Sequence, residues 1–79
     1  METKQRLIGA FAAALAVPED AAIENYEYRA VAGWDSIAHL RLVSEIENTF
    51  DIMLDTEDVI GLSSFRKGLE MLARHGIEG

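Results

Sequence analysis

Apolar residues in this chain recur at intervals of three and four, and nowhere in a convincing alternation. Leu7, Ile8, Phe11 and Leu15 share one stripe. Leu42, Val43, Ile46 and Phe50 share a second, and Phe65, Leu69 and Leu72, with Met71 beside them, a third. A 3.6-residue period puts such positions on one face of an α-helix, whereas a half-buried strand needs strict alternation. No hairpin signal, internal repeat or low-complexity tract breaks the pattern. The predicted class is therefore all-α, a small bundle of three main helices plus one short one, with a long loop between the first and second helices.

Size narrows the means of holding such a bundle together. The chain has 79 residues, which makes residues 1–79 a single domain. Conformational entropy of about 1.5 kcal/mol per ordered residue nearly cancels the gain from burying so small a core. There is no cysteine, so a disulfide framework, a thiolate zinc site and a cysteine nucleophile are all excluded. His39 and His75 are too few to build a metal cage. Helix packing has to carry the fold.

Local signals place the helix ends. The first helix is predicted over 4–16, rich in alanine and stopped by Pro18. Those alanines are read as helix formers rather than as space for a bound chain. Residues 18–34 form the long connection, but Ile23, Tyr26, Tyr28, Val31 and Trp34 make it too apolar to hang free, so it is expected to lie across the bundle. The second helix is predicted over 36–49 with Asp35 as N-cap. A short third helix over 56–60 has Asp55 as N-cap and Leu54 and Val59 at hydrophobic-staple positions. The fourth, about 64–75, is capped by Ser63 or Ser64 and followed by Gly76.

Charge excludes further classes. Fourteen acidic residues against seven basic ones give a net charge of −7. Such a surface repels phosphate backbones and anionic lipid and suits partners with basic faces. No stretch reads as a signal peptide or a membrane span, so a cytoplasmic location is expected. A monomer is expected as well.

Catalytic constellations are absent. Ser36 and His39 lie three apart on one helix with no acid placed to orient the imidazole, so His39 reads as an exposed or half-buried helix residue. His75 reads as a C-terminal helix cation. The acidic stretch 51–58 lacks the spacing of a calcium loop. No residue is assigned as catalytic or as a metal ligand, and the chain is not read as an enzyme.

What remains is Trp34-Asp35-Ser36-Ile37 opening the longest helix after a long loop. It is followed by Leu42-Val43-Ser44-Glu45-Ile46-Glu47-Asn48-Thr49-Phe50-Asp51-Ile52 and, further on, by Ser63-Ser64-Phe65. Alone, Asp-Ser before an apolar helix is a common cap. Together with length, acidity and helix order, the chain resembles the acyl carrier protein family, the phosphopantetheine-dependent carriers of fatty acid, polyketide and nonribosomal peptide pathways. The resemblance spans nearly the whole chain.

The resemblance implies a covalent cofactor. In that family a serine at this position receives 4′-phosphopantetheine from coenzyme A, through a phosphopantetheinyl transferase that uses magnesium; the matching residue is Ser36. Asp35 matches the aspartate that assists the transferase and its magnesium. The second helix is the family's partner-recognition surface, here Ile37, Leu40, Arg41, Glu45, Glu47 and Asp51, facing the acyl-loading enzyme and acyltransferase or ketosynthase partners. Between Asp35 and Asp58 stand seven acids and one base, Arg41, a local net charge of −6. Arg41 and Asn48 stand where fatty acid carriers usually have acids, Ile37 replaces the usual leucine, and Trp34 and His39 are also atypical. These departures imply a discrete carrier of a specialised pathway. Two alternatives remain at this level: an aminoacyl carrier of the peptidyl or D-alanyl type loaded by an adenylating enzyme, and a noncatalytic acidic interaction module in which Ser36 is only part of a cap.

Overall fold

A computed structural model of the chain describes residues 2–30 and 33–77. Four α-helices follow one another: α1 Glu2–Leu15, α2 Ser36–Phe50, α3 Thr56–Gly61 and α4 Phe65–Arg74. The connection between α1 and α2 carries one 3₁₀ turn, Ile23–Asn25. The described residues contain no β-strand, only an isolated bridge between Glu27 and Ser64. The all-α bundle with a long first connection is as the periodicity predicts.

The helix ends sit within two residues of their expected positions, and three of the C-terminal ends close in the same way. α1, α2 and α4 each end on a left-handed residue: Ala16 (φ 57°), Asp51 (φ 54°) and Gly76 (φ 83°). In each case the next amide reaches back five residues. Val17 donates to the Ala12 carbonyl at 3.1 Å, Ile52 to Glu47 at 3.2 Å and Ile77 to Leu72 at 2.9 Å. This closure satisfies carbonyls that a helix end leaves unpaired. α1 therefore stops before Pro18 can act, and the proline follows a turn already made.

The core joins all the long elements. Leu7, Phe11 and Leu15 of α1 are buried with Leu42, Ile46 and Phe50 of α2 and with Phe65, Met71 and Leu72 of α4. Phe11 lies at the centre, with edge-to-face contacts to Trp34 at 5.1 Å and Phe65 at 5.2 Å between ring centroids. Such pairs add about 0.5–1.5 kcal/mol each beyond the area they bury. α1 packs chiefly on α2. Arg6 fastens the far end of that pair, donating to the Thr49 carbonyl while its guanidinium lies 4.9 Å from the centre of the Phe50 ring.

The buried face of α4 differs from the expected stripe. Leu69 is only half-buried, while Gly68 and Met71 are buried beside Phe65 and Leu72. The reason is a close approach. A side-chain carbon at position 68 would lie 3.2 Å from Leu62 Cδ1 and 3.3 Å from Leu7 Cδ2. Glycine lets α4 settle against α1, and this rotates Leu69 toward the rim.

The long connection is a structural member, as expected. Ile23 and Trp34 are buried, and Tyr26 and Tyr28 pack on the core. Two backbone bonds stitch it to the α3–α4 link and the start of α4: Tyr28 donates to the Ser63 carbonyl at 2.8 Å, and Phe65 donates to the Tyr26 carbonyl at 3.1 Å. Val31, also expected to pin this segment, lies outside the described residues.

Candidate functional site

The start of α2 is placed by the residues before it. Arg29 takes a left-handed conformation (φ 66°), and its amide donates to the Trp34 carbonyl at 3.3 Å, closing the loop on itself. Gly33, with φ 112°, makes the reversal in a region that other residues rarely occupy. Trp34 is then driven into the core and is 1% exposed. With Trp34 buried, Asp35 and Ser36 emerge at the surface. Asp35 is the N-cap: its Oδ1 accepts from the Ala38 amide at 2.9 Å. Its other carboxylate oxygen makes no hydrogen bond among the described residues. Ser36 is the first residue of α2, and it is exposed.

Three aromatic side chains, Tyr28, Trp34 and His39, pack together beside the start of α2. Tyr28 lies 5.9 Å from Trp34 and 5.0 Å from His39, ring centre to ring centre. The Tyr28 hydroxyl stands 3.3 Å from Ser36 Oγ. His39 is half-buried, as the sequence suggests, and it is oriented from both sides without any acid. The Trp34 indole N–H donates to its Nδ1 at 3.0 Å, and its Nε2 meets the Val59 carbonyl at 2.9 Å. An indole only donates and a carbonyl only accepts, so the imidazole carries its proton on Nε2. His39 is thus the bridge between the loop that delivers Ser36 and the end of α3. It is not a base for Ser36.

The residues expected to form a recognition surface separate into two groups. Ile37 and Leu40 are 65% and 67% exposed. Met53, on the α2–α3 link, and Ile60, on α3, are more exposed still. Arg41 is exposed beside Leu40. The acids are more occupied. Glu47 is half-buried and its Oε2 accepts from the Leu54 amide at 2.9 Å, which ties the α2–α3 link to α2. Glu45 is half-buried, and Asp51 is exposed while its backbone ends α2.

One acid of the cluster belongs to the interior. Asp58 is 7% exposed. Its Oδ2 meets His75 Nε2 at 2.8 Å, its Oδ1 meets Arg74 at 3.4 Å, and its own amide donates to Asp55 at 2.8 Å in a reciprocal capping box. The hydrogen bond from His75, then that from Asp55's backbone and the nearby positive charges, hold the Asp58 carboxyl below its ordinary range against the opposing effect of burial. His75 is therefore the fastening between α4 and α3. It stands exposed at the end of α4, as its sequence position suggests, and its ring also reaches the buried Asp58 carboxylate.

No protein-family profile, curated protein or solved structure matches this chain. The site is accordingly read from its own geometry. Asp35, Ser36, Ile37, Leu40 and Arg41 lie together in the first turns of α2, whereas Met53 belongs to the link that Leu54 ties back to Glu47, in the C-terminal half of α2. Asp58 does not join them. Sequence reasoning missed Tyr28 as a neighbour of Ser36, because a contact eight residues apart across an irregular loop leaves no periodic signal. It also missed the Asp58–His75 pair, which joins residues 17 apart; only the Asp55–Asp58 capping box, an acid three residues after an Asp N-cap, was legible locally. Among the described residues no helix is long and apolar enough to cross a membrane.

Proposed function

We propose that this chain is a carrier protein that is modified on Ser36 with 4′-phosphopantetheine and presents thioester-bound acyl intermediates to partner enzymes. The observation that carries the reading is the presentation of Ser36. It is an exposed hydroxyl on the first turn of α2, beside an aspartate whose second oxygen makes no hydrogen bond among the described residues, with exposed Ile37 and Leu40 following on the same helix.

The residues present fit such a group. The first amides of a helix lack intrahelical acceptors, and its positive end favours an anion such as a phosphodiester. Asp35 holds the helix start with Oδ1 and leaves its second oxygen for a divalent cation brought by a transferase. When bound, the cofactor supplies the thiol that the cysteine-free chain lacks. Modification forms a bond from Ser36 Oγ to the phosphorus that bears the pantetheine. The bond from that phosphorus to the bridging oxygen of coenzyme A's pyrophosphate breaks. Adenosine 3′,5′-bisphosphate leaves, and the serine proton passes to a base of the transferase.

The partner surface in this reading is Ile37, Leu40 and Arg41, all exposed on α2. Exposed apolar groups supply contact area, and the charged rim sets orientation and encounter rate. Glu47 contributes through the backbone it holds, since its carboxylate is engaged with Leu54. Arg41 supports a dedicated carrier of a specialised pathway.

The experiment is intact mass measurement after incubation with coenzyme A, magnesium and a promiscuous phosphopantetheinyl transferase. Wild type is expected to gain one phosphopantetheinyl group and Ser36→Ala none. An unmodified wild type overturns the reading in favour of a noncatalytic interaction module. Loading assays on the modified protein then distinguish acyl from aminoacyl cargo.

A further inference from the structure

We infer that Tyr28 is a positioning residue for Ser36, an inference that rests on the carrier reading. Its hydroxyl sets the side-chain position of Ser36 before modification and donates a hydrogen bond to the esterified site afterwards.

The tyrosine is held from several directions. Its ring packs against Trp34 and His39, the Arg29 guanidinium lies 5.7 Å from its centre, and its backbone amide is bonded to the Ser63 carbonyl. Trp34 is itself locked in the core, and His39 is fixed by hydrogen bonds at both nitrogens. None of these ties uses the phenolic oxygen. The oxygen stands 3.3 Å from Ser36 Oγ, beyond the usual 2.5–3.0 Å of a hydroxyl pair. Such a contact stabilises the fold little but limits where Oγ can point. Ser36 would otherwise rotate freely as an exposed side chain.

Chemistry then gives the contact a direction. In the unmodified protein either hydroxyl can donate. Once Oγ is esterified it has no proton, so any hydrogen bond between the two residues must be donated by Tyr28. Modification thus converts an ambiguous contact into a donor aimed at a phosphodiester. A phenylalanine at position 28 would keep the ring packing and lack only this function.

The test compares wild type with Tyr28→Phe as substrates of the transferase, with coenzyme A and magnesium. The expected result is a kcat lowered roughly twofold to tenfold with KM for the carrier unchanged. The melting temperature of the unmodified protein should be retained. The ³¹P resonance of modified Tyr28→Phe should be displaced from that of modified wild type. Equal kcat and an unmoved ³¹P resonance would overturn the inference and leave the carrier reading standing. A wild type that accepts no cofactor overturns both. A second measurement needs no variant: the ¹³Cζ resonance of Tyr28, with Tyr26 as internal control, should move when wild type is modified. An unmoved resonance refutes the contact even if Tyr28→Phe does not fold.

Discussion

The indole N–H of Trp34 and Nδ1 of His39 lie 3.0 Å apart, and His39 spans from there to the Val59 carbonyl at 2.9 Å. One imidazole therefore satisfies a buried indole and ties the start of α2 to α3. This arrangement explains how a tryptophan can be 1% exposed without an orphaned donor. It also explains why a histidine next to the candidate site need not take part in chemistry.

His39→Ala should remove both bonds and leave the Trp34 donor buried and unpaired. The expected loss is about 1–3 kcal/mol of stability. His39→Gln should recover part of it, because an amide offers both an acceptor and a donor. Urea denaturation followed by the fluorescence of Trp34, the single tryptophan, measures this directly. An unchanged midpoint in His39→Ala would show that the bridge contributes nothing.

Asp58 should give the chain a specific sensitivity to acid. Its carboxyl is held below the ordinary range in the folded state by the His75 hydrogen bond and its neighbours. A depressed carboxyl contributes stability that is fully present above its unfolded value and is lost as pH falls through its folded value. Stability should therefore drop as pH is lowered from the ordinary carboxylate range downward. Asp58→Asn should be less stable at neutral pH by about 1–3 kcal/mol and show a shallower fall in acid. Denaturant midpoints of both proteins between about pH 2 and pH 6 would show parallel curves if the pair were unimportant.

Gly68 should not accept a branched side chain. Its missing Cβ already faces Leu62 and Leu7 at 3.2 and 3.3 Å. Gly68→Val adds two further methyl groups at the α1–α4 contact, and overpacking of this kind costs about 1–3 kcal/mol. A melting temperature equal to wild type would mean that α4 moves away from α1 without penalty.

Arg41 should govern partner choice in the proposed carrier. It is exposed on α2 close to Ser36, in a stretch otherwise rich in acids. A ketosynthase whose docking face is basic should elongate Arg41→Glu faster than wild type once both carry the cofactor. The gain should shrink as salt is raised. Equal rates would remove the argument for specialisation.

The helices of this protein are written locally. Asp35, Asp55 and Ser64 cap the starts of α2, α3 and α4 by accepting from amides three residues ahead. The apolar stripes follow from the helical period. Such features span no more than a turn or two, so the sequence alone determined the class, the helix order, the caps of α2 and α3 and the place of Ser36 at the head of α2, while the choice of Ser64 over Ser63 came from the structure.

What only the tertiary structure decided lies between residues far apart in the chain. Tyr28 reaches Ser36, His39 reaches Val59, and Asp58 reaches His75. Each contact depends on how the long connection folds back and how tightly α4 sits on α1 at Gly68. Burial also sorted the acids. Asp35, Glu47, Asp55 and Asp58 accept hydrogen bonds that hold the backbone or bind α4, which leaves Glu45, Asp51 and Glu57 less committed. Net charge is summed along the chain, but a docking face is set by which carboxylates still point to water, and that depends on packing.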